Sequence, residues 1–249
     1  MTYPTLCFLS YNRPQFLKQA IETALEHAGE KVEIIVHDDG STDRELLKYL
    51  YTIHQKGIVS SVILNAPGVN QGQGVALNRM FRMATGDPII KLDHDLIFKP
   101  DWLLRCRAIL QDPRVGLLGL FKYHHEPVNW QTTIITDPVL MEMGYSHHGL
   151  PRGYSFHTHI CGSGMVIPRR VWERLGPFPE RWESFGEDWE FQKRVAATPG
   201  MFNALPDEDL VENVGFGVGP STVVVANQET GAPEPSKIHK LPMLVPSDV

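Results

Sequence analysis

At 249 residues with 42% hydrophobic content, the chain can bury a full core without needing a second domain. Acidic residues outnumber basic ones, 29 to 23, and the formal charge of -6 indicates no broad basic surface for nucleic acid or anionic membrane, leaving room only for a local basic patch. The three cysteines Cys7, Cys106 and Cys161 are odd in number and far apart, which speaks against a disulfide framework, and no run approaches the roughly eighteen apolar residues of a membrane span.

Thr5-Leu6-Cys7-Phe8-Leu9 has the composition of a buried strand, broken by Ser10-Tyr11-Asn12-Arg13-Pro14. A helix is predicted over 15–28 with Phe16, Leu17, Ile21 and Leu25 inward. The cycle repeats with a strand at 32–37, the acidic turn Asp38-Asp39-Gly40-Ser41-Thr42-Asp43 and a helix to about Tyr51. Thr42 and Glu45 have capping-box spacing, with Ser41 and Asp43 as alternative caps. A third strand at 59–64 runs into the glycine-rich 68–74 and a helix over 75–83. A fourth strand ends at Asp93-His94-Asp95, a fourth helix covers 103–110, and 115–120 reads as a fifth strand. Strands alternating with helices at this spacing imply a mostly parallel sheet covered on both faces. Ligands of such sheets bind beyond the C-terminal strand ends, where 10–13, Asp38, Asp39, 70–74, Asp93 and Asp95 all fall.

From 121 to 160 the rhythm stops in a stretch crowded with histidines and aromatics, among them His124, His125, Trp130, Tyr145, His157 and His159. Order returns with a strand at 162–167, a short helix stopped by Gly176 and a last helix beginning near Glu187. From Glu229 the chain is rich in proline and polar residues and reads as an extended tail. The organisation expected is one domain over 1–228, divided into a nucleotide-binding half (1–120) and an irregular acceptor-side half (121–228), followed by the tail at 229–249.

Asp93 and Asp95 follow the apolar run Ile89-Ile90-Lys91-Leu92 and, by strand alternation, share one side. Like charges so close repel unless a cation lies between them, and hard carboxylate oxygens suit Mg2+ or Mn2+. The glycines Gly72 and Gly74 do not make a dinucleotide fingerprint, because the third glycine would fall on Leu77. His157, His159 and Cys161 lack the spacing of a zinc site and are read as acceptor-pocket or loop residues. Glu187 and Asp188 sit at a helix start, where acids often serve only the helix dipole, but the neighbouring Trp182 and Trp189 suit a site that holds a sugar ring.

In this order, these pieces resemble the family 2 glycosyltransferases of GT-A (Rossmann-like) fold, over about residues 5–220. Leu9-Ser10-Tyr11-Asn12-Arg13-Pro14 is similar to the family's opening donor loop, and Ile35-Val36-His37-Asp38-Asp39-Gly40-Ser41-Thr42-Asp43 to its nucleotide-binding turn. The segment 70–78 with Gly86-Asp87 resembles the approach to the D-x-D motif at Asp93-His94-Asp95. Gly162-Ser163-Gly164, Leu175-Gly176-Pro177-Phe178 and Gly186-Glu187-Asp188-Trp189-Glu190 are similar to the acceptor half and its E-D motif.

The resemblance implies donor contacts from Ser10, Tyr11, Arg13 and Asp93, with Asp39 at the nucleobase. It also implies Mn2+ or Mg2+ at Asp93 and Asp95, acceptor contacts from Glu187 and Trp189, and Asp188 as catalytic base. Where relatives often carry a histidine ligand, this sequence has Asn213, leaving His239 as a candidate third metal ligand. The expected activity is inverting transfer from a nucleoside-diphosphate sugar, a UDP-sugar favoured, to an acceptor hydroxyl of a saccharide, lipid-linked glycan, protein or modified nucleobase. The alternatives are an inert sugar-nucleotide or glycan-binding module, a retaining transferase and a nucleotidyltransferase. The expected location is cytoplasmic, free or peripheral to a membrane, and a homo-oligomer is compatible with the sequence.

Overall fold

The computed structural model describes residues 2–122, 153–157, 160–180 and 186–215, and the backbone of 223–226 and 233–239. The chain begins β1 (Thr5–Ser10), α1 (Pro14–His27), β2 (Glu33–Asp38), α2 (Arg44–Gln55), β3 (Ser61–Leu64), α3 (Gln73–Met83), β4 (Ile89–Leu92). It continues through a short β5 (Leu96–Phe98), α4 (Trp102–Ile109), β6 (Val115–Gly119), β7 (Tyr154–His157) and β8 (Gly164–Ile167). Then come α5 (Arg169–Leu175), α6 (Glu187–Ala196), β9 (Phe202–Pro206), β10 (Val211–Asn213), β11 (Val223–Ala226) and β12 (Pro233–His239).

The central sheet has the order β3-β2-β1-β4-β8-β6-β9-β7. Strands β3, β2, β1 and β4 are parallel to one another, and β6 is parallel to β9. β8 runs antiparallel between β4 and β6, and β7 antiparallel to β9. The result is an α/β fold with a mainly parallel sheet flanked by helices.

Alternation along the strands divides the core in two. Leu6, Phe8, Ile34, Val36, Ile90 and Leu92 pack with Leu17 and Ile21 of α1, Leu46 and Leu50 of α2 and Trp102 of α4. Cys7, Leu9, Ile35 and Ile89 pack on the other face with Leu77 and Phe81 of α3, Trp172 of α5 and Phe191 of α6. The second face is locked by aromatics: Phe81 meets Trp172 and Phe178 at 4.9 and 5.3 Å, and Phe178 meets Phe191 at 4.8 Å. Asn78, wholly buried, exchanges two hydrogen bonds with the Phe178 backbone, so α3 fixes the segment that leads to α6.

Three details differ from the sequence expectation. In α1, Ala20 and Ala24 face the core with Leu17 and Ile21, whereas Leu25 is 40% exposed, because small side chains let the helix lie close to the sheet. α2 runs four residues past Tyr51, to Gln55, and its cap is Asp43, which accepts from the Leu46 amide at 2.8 Å. The expected tail boundary at 228/229 falls between β11 and β12, two strands that pair antiparallel, so part of the expected tail, 233–239, is strand. Of the expected histidine-rich irregular segment, 123–152 lies outside the described residues, and its end forms β7.

Candidate active site

The loops after β1 and β2 are tied to each other. The Asn12 amide donates to Ser41 Oγ, and Asn12 Oδ1 accepts from the Thr42 and Asp43 amides at 2.9 and 3.1 Å. This local geometry holds Asn12 at φ 48, a left-handed conformation that asparagine tolerates. Asp38 accepts from the Ser10 hydroxyl at 3.2 Å and from the Ser41 hydroxyl and amide. Burial raises its pKa, and the Ser41 and Ser10 hydrogen bonds oppose the rise. Ser10 is therefore buried and turned into this network, whereas Tyr11, next to it, is 40% exposed.

Asp39 organises the third loop. Its Oδ1 accepts from Asn65 Nδ2 at 2.6 Å and the Gln71 amide at 2.8 Å, and its Oδ2 accepts from the Gly72 amide at 2.9 Å. Arg79 of α3 in turn donates to Asn65 Oδ1. A carboxylate has about four acceptor positions, so Oδ2 retains room for one further donor. Behind it lies His37, wholly buried with neither ring nitrogen hydrogen-bonded. Burial lowers its pKa to about 4 against the opposing pull of Asp39.

Asp93, His94 and Asp95 do not continue β4. They form the turn into β5, so the turn, rather than strand alternation, brings the two carboxylates together. The Asp93 amide donates to the Ser163 carbonyl at 2.9 Å, and the Asp95 carbonyl accepts from Val214 at 3.0 Å. Strand β10 reaches Asp95 by pairing Asn213 with Leu96. There Gly215 packs against the carboxylate: a Cβ on it would stand 1.9 Å from Asp95 Oδ2, so only glycine fits. Arg13 Nη1 lies 3.9 Å from Asp95 Oδ2. Burial and Asp93 push the Asp95 pKa up to about 6, with Arg13 opposing.

Asp93 Oδ1 and Asp95 Oδ1 are both buried without a hydrogen-bond partner. Two adjacent orphaned carboxylate oxygens are what a hard divalent cation requires, so these residues fit Mn2+ or Mg2+. Among the described residues, no group of three or more His, Cys, Asp or Glu side chains could enclose a metal. Asn213 Oδ1 accepts from the Gly215 amide at 3.1 Å, and the side chain of His239 lies outside the described residues.

Glu187 and Asp188 open α6, where the exposed amides favour negative charge. Asp188 Oδ1 accepts from the Trp189 amide at 2.8 Å, and its Oδ2 lies against Gly162, on which a Cβ would stand 1.6 Å away. Burial raises the Glu187 pKa, and Lys91 pulls it down. Trp189 is 36% exposed, with Lys193 Nζ 5.5 Å from its ring. Trp182 and His159 lie outside the described residues, and His157 Nε2 is hydrogen-bonded to Ser155 Oγ at 2.8 Å.

The acids at 93 and 95 and those at 187 and 188 are linked by a residue that the sequence pattern did not single out. Lys91 of β4 is 2% exposed, and its Nζ donates to the Gly162 carbonyl and lies 3.4 Å from Asp93 Oδ1. Burial works against its ammonium, but Asp93, Asp188, Glu187 and Cys161 together raise its pKa above the usual lysine value. The available signal was a single lysine in the apolar run Ile89-Ile90-Lys91-Leu92, two residues before Asp93.

Comparison with known proteins fits this geometry. The model of the family described as glycosyl transferase family 2 matches residues 5–176. The chain belongs to glycosyltransferase family 2. An uncharacterized glycosyltransferase of Nostoc sp. is 32% identical over 109 residues, 41% of this chain and 31% of its own. A mannosyltransferase from Pyrobaculum calidifontis, solved with GDP-Man and Mn2+, superposes with TM-score 0.59 at 20% identity, covering 87% of this family 2 chain and 59% of its own. GalNAc-T7 with UDP, GalNAc and Mn2+ superposes with TM-score 0.64 at 15% identity, covering 83% and 42%. The fold thus matches those of GT-A glycosyltransferases, and the chain spans less than two thirds of each of these proteins. No helix among the described residues is long and apolar enough to cross a membrane.

Proposed function

We propose that this family 2 chain is a metal-dependent inverting glycosyltransferase, moving a sugar from a nucleoside-diphosphate donor, a UDP-sugar favoured, to an acceptor hydroxyl. The observation that carries the reading is the pair of orphaned oxygens on Asp93 and Asp95, set next to a second acidic pair at the head of α6. Asp93 and Asp95 would hold Mn2+ or Mg2+, which when bound neutralises charge developing on the leaving diphosphate. Tyr11 and Arg13 stand beside the donor, Ser10 shapes their loop from behind, and the open acceptor position on Asp39 Oδ2 is directed to the base.

Asp188 takes the proton of the acceptor hydroxyl as it attacks the anomeric carbon, while Glu187 and Trp189 hold the acceptor. The exposed amides at the head of α6 favour negative charge there, which suits a group that receives a proton. The acceptor is a saccharide, lipid-linked glycan, protein or modified nucleobase.

The test is Asp188→Asn, which preserves shape and removes the proton acceptor. Transfer falls by roughly a hundred- to ten-thousand-fold, while calorimetry finds donor affinity near wild type and NMR finds inverted product. Unchanged transfer would remove Asp188 from this role. Product with the donor's anomeric configuration would replace inversion with retention, and donor binding without any turnover would leave a binding module.

A further inference from the structure

We infer that Lys91 is a positioning residue, a buried counter-ion shared by the D-x-D and E-D acids that seats Asp188 through the Gly162 carbonyl and tempers the charge offered to the cation. The inference rests on the functional reading above and goes beyond it, because it couples the donor and acceptor sites through one side chain.

Lys91 lies on β4 in the middle of the sheet, with Cys7 of β1 on one side and Met165 of β8 on the other. A lysine at 2% exposure is costly there unless its charge is paired; the Asp93 carboxylate at 3.4 Å supplies the ion pair, and the charges of Asp188 and Glu187 add to its field. The ammonium also grips the loop between the two acid pairs. Its Nζ donates to Gly162, while the next residue, Ser163, accepts from the Asp93 amide. From the other end, Gln192 on α6 exchanges two hydrogen bonds with the Ile160 backbone. Residues 160–163 are thereby clamped between β4, the D-x-D turn and α6, with Gly162 flush against Asp188 Oδ2.

Two consequences follow from one charge. Without the ammonium, Asp93 loses its neighbour at 3.4 Å and the D-x-D pair becomes more negative, so a divalent cation binds more tightly. The Gly162 carbonyl is released at the same time, and Asp188, whose carboxylate lies where a Gly162 Cβ would stand, loses its seat. The same substitution therefore strengthens metal binding and weakens transfer, a divergence that loss of packing would not produce.

The experiment compares wild type with Lys91→Met, which keeps the stem and removes the charge, and with Gly162→Ala, which keeps the charge and displaces Asp188. Mn2+ affinity is measured by electron paramagnetic resonance in the presence of UDP and of GDP, transfer is measured on the same preparations, and circular dichroism checks folding. For Lys91→Met, Mn2+ affinity rises roughly three- to tenfold while transfer falls roughly ten- to a hundredfold. For Gly162→Ala, transfer falls by a similar factor and Mn2+ affinity stays at the wild-type value, a result that carries the seating of Asp188 by Gly162 even where Lys91→Met does not fold. Parallel loss of metal binding and transfer in either folded variant, or wild-type behaviour in both, would overturn the positioning role and leave the functional reading standing. Wild type that neither binds Mn2+ with nucleotide nor transfers would overturn the functional reading first.

Discussion

Asp38 and Asp39 stand at the end of β2, Asp93 and Asp95 beyond the end of β4, and the two pairs are treated in opposite ways. Asp38 and Asp39 receive hydrogen bonds from Ser10, Ser41, Asn65, Gln71 and Gly72, and neither has an orphaned oxygen. Asp93 and Asp95 each bury one oxygen that accepts no hydrogen bond, the first of them 3.4 Å from the Lys91 ammonium. A buried carboxylate oxygen without a hydrogen bond is costly, so the satisfied pair is spent on building its loops, and the pair short of donors is the one the proposed cation would complete. Sequence proximity to a strand end does not distinguish the two uses, but the donor inventory does.

The largest test of the contrast is Asp95→Asn. If the orphaned oxygen awaits a cation, the substitution lowers transfer on the order of a thousandfold and abolishes the Mn2+ dependence of nucleotide binding, measured by calorimetry with UDP, GDP and TDP. Equal nucleotide affinities in Mn2+ and in EDTA for wild type would erase the contrast.

The next test concerns His37, the group on the satisfied side that lacks hydrogen bonds. Its folded pKa of about 4 lies below the unfolded value of 6.5, so the unfolded state binds the proton first as pH falls. Stability is then full above pH 6.5 and declines down to about pH 4, by about 3 kcal/mol in all. Urea unfolding at stepped pH reads the decline, and His37→Leu flattens it. An identical slope in that variant assigns the acid sensitivity elsewhere.

Asp39→Ala sharpens the comparison from the loop side. Losing charge-assisted bonds to the Gln71 and Gly72 amides costs about 2 kcal/mol in thermal unfolding. If Oδ2 also reads the base, affinity falls far more for the preferred nucleotide than for its competitors. A uniform fall restricts Asp39 to shaping the loop. The smallest effect is at the α2 cap, where Asp43→Ala costs about 1 kcal/mol and Thr42→Ala little, because the Leu46 amide is bonded to Asp43. The reverse order would return the cap to Thr42.

Much of the fold was legible from local pattern. Leu6, Phe8 and their counterparts in β2 and β4 alternate with residues of the opposite core, and the polar turns after them fall where the loops are. The inserted β8 was not legible as antiparallel, since a strand's direction depends on its neighbour and not on its own residues. Within the site, the acids at 38, 39, 93, 95, 187 and 188 were all visible as acids, but Lys91 was masked by the apolar run around it.

By itself the sequence determined the alternation of β1 to β4 and β6 with α1 to α4, the placement of the acidic motifs at element ends, and the family to which they belong. These depend on periodicity and on residues a few positions apart. Only the tertiary structure decided which carboxylate oxygens are satisfied, that Gly162 and Gly215 admit the Asp188 and Asp95 side chains, and that Lys91 joins the two acid pairs. Those outcomes depend on atoms brought together from as far as 71 and 120 positions away, as Lys91 and Gly162 and Asp95 and Gly215 are, and no local pattern encodes such a distance.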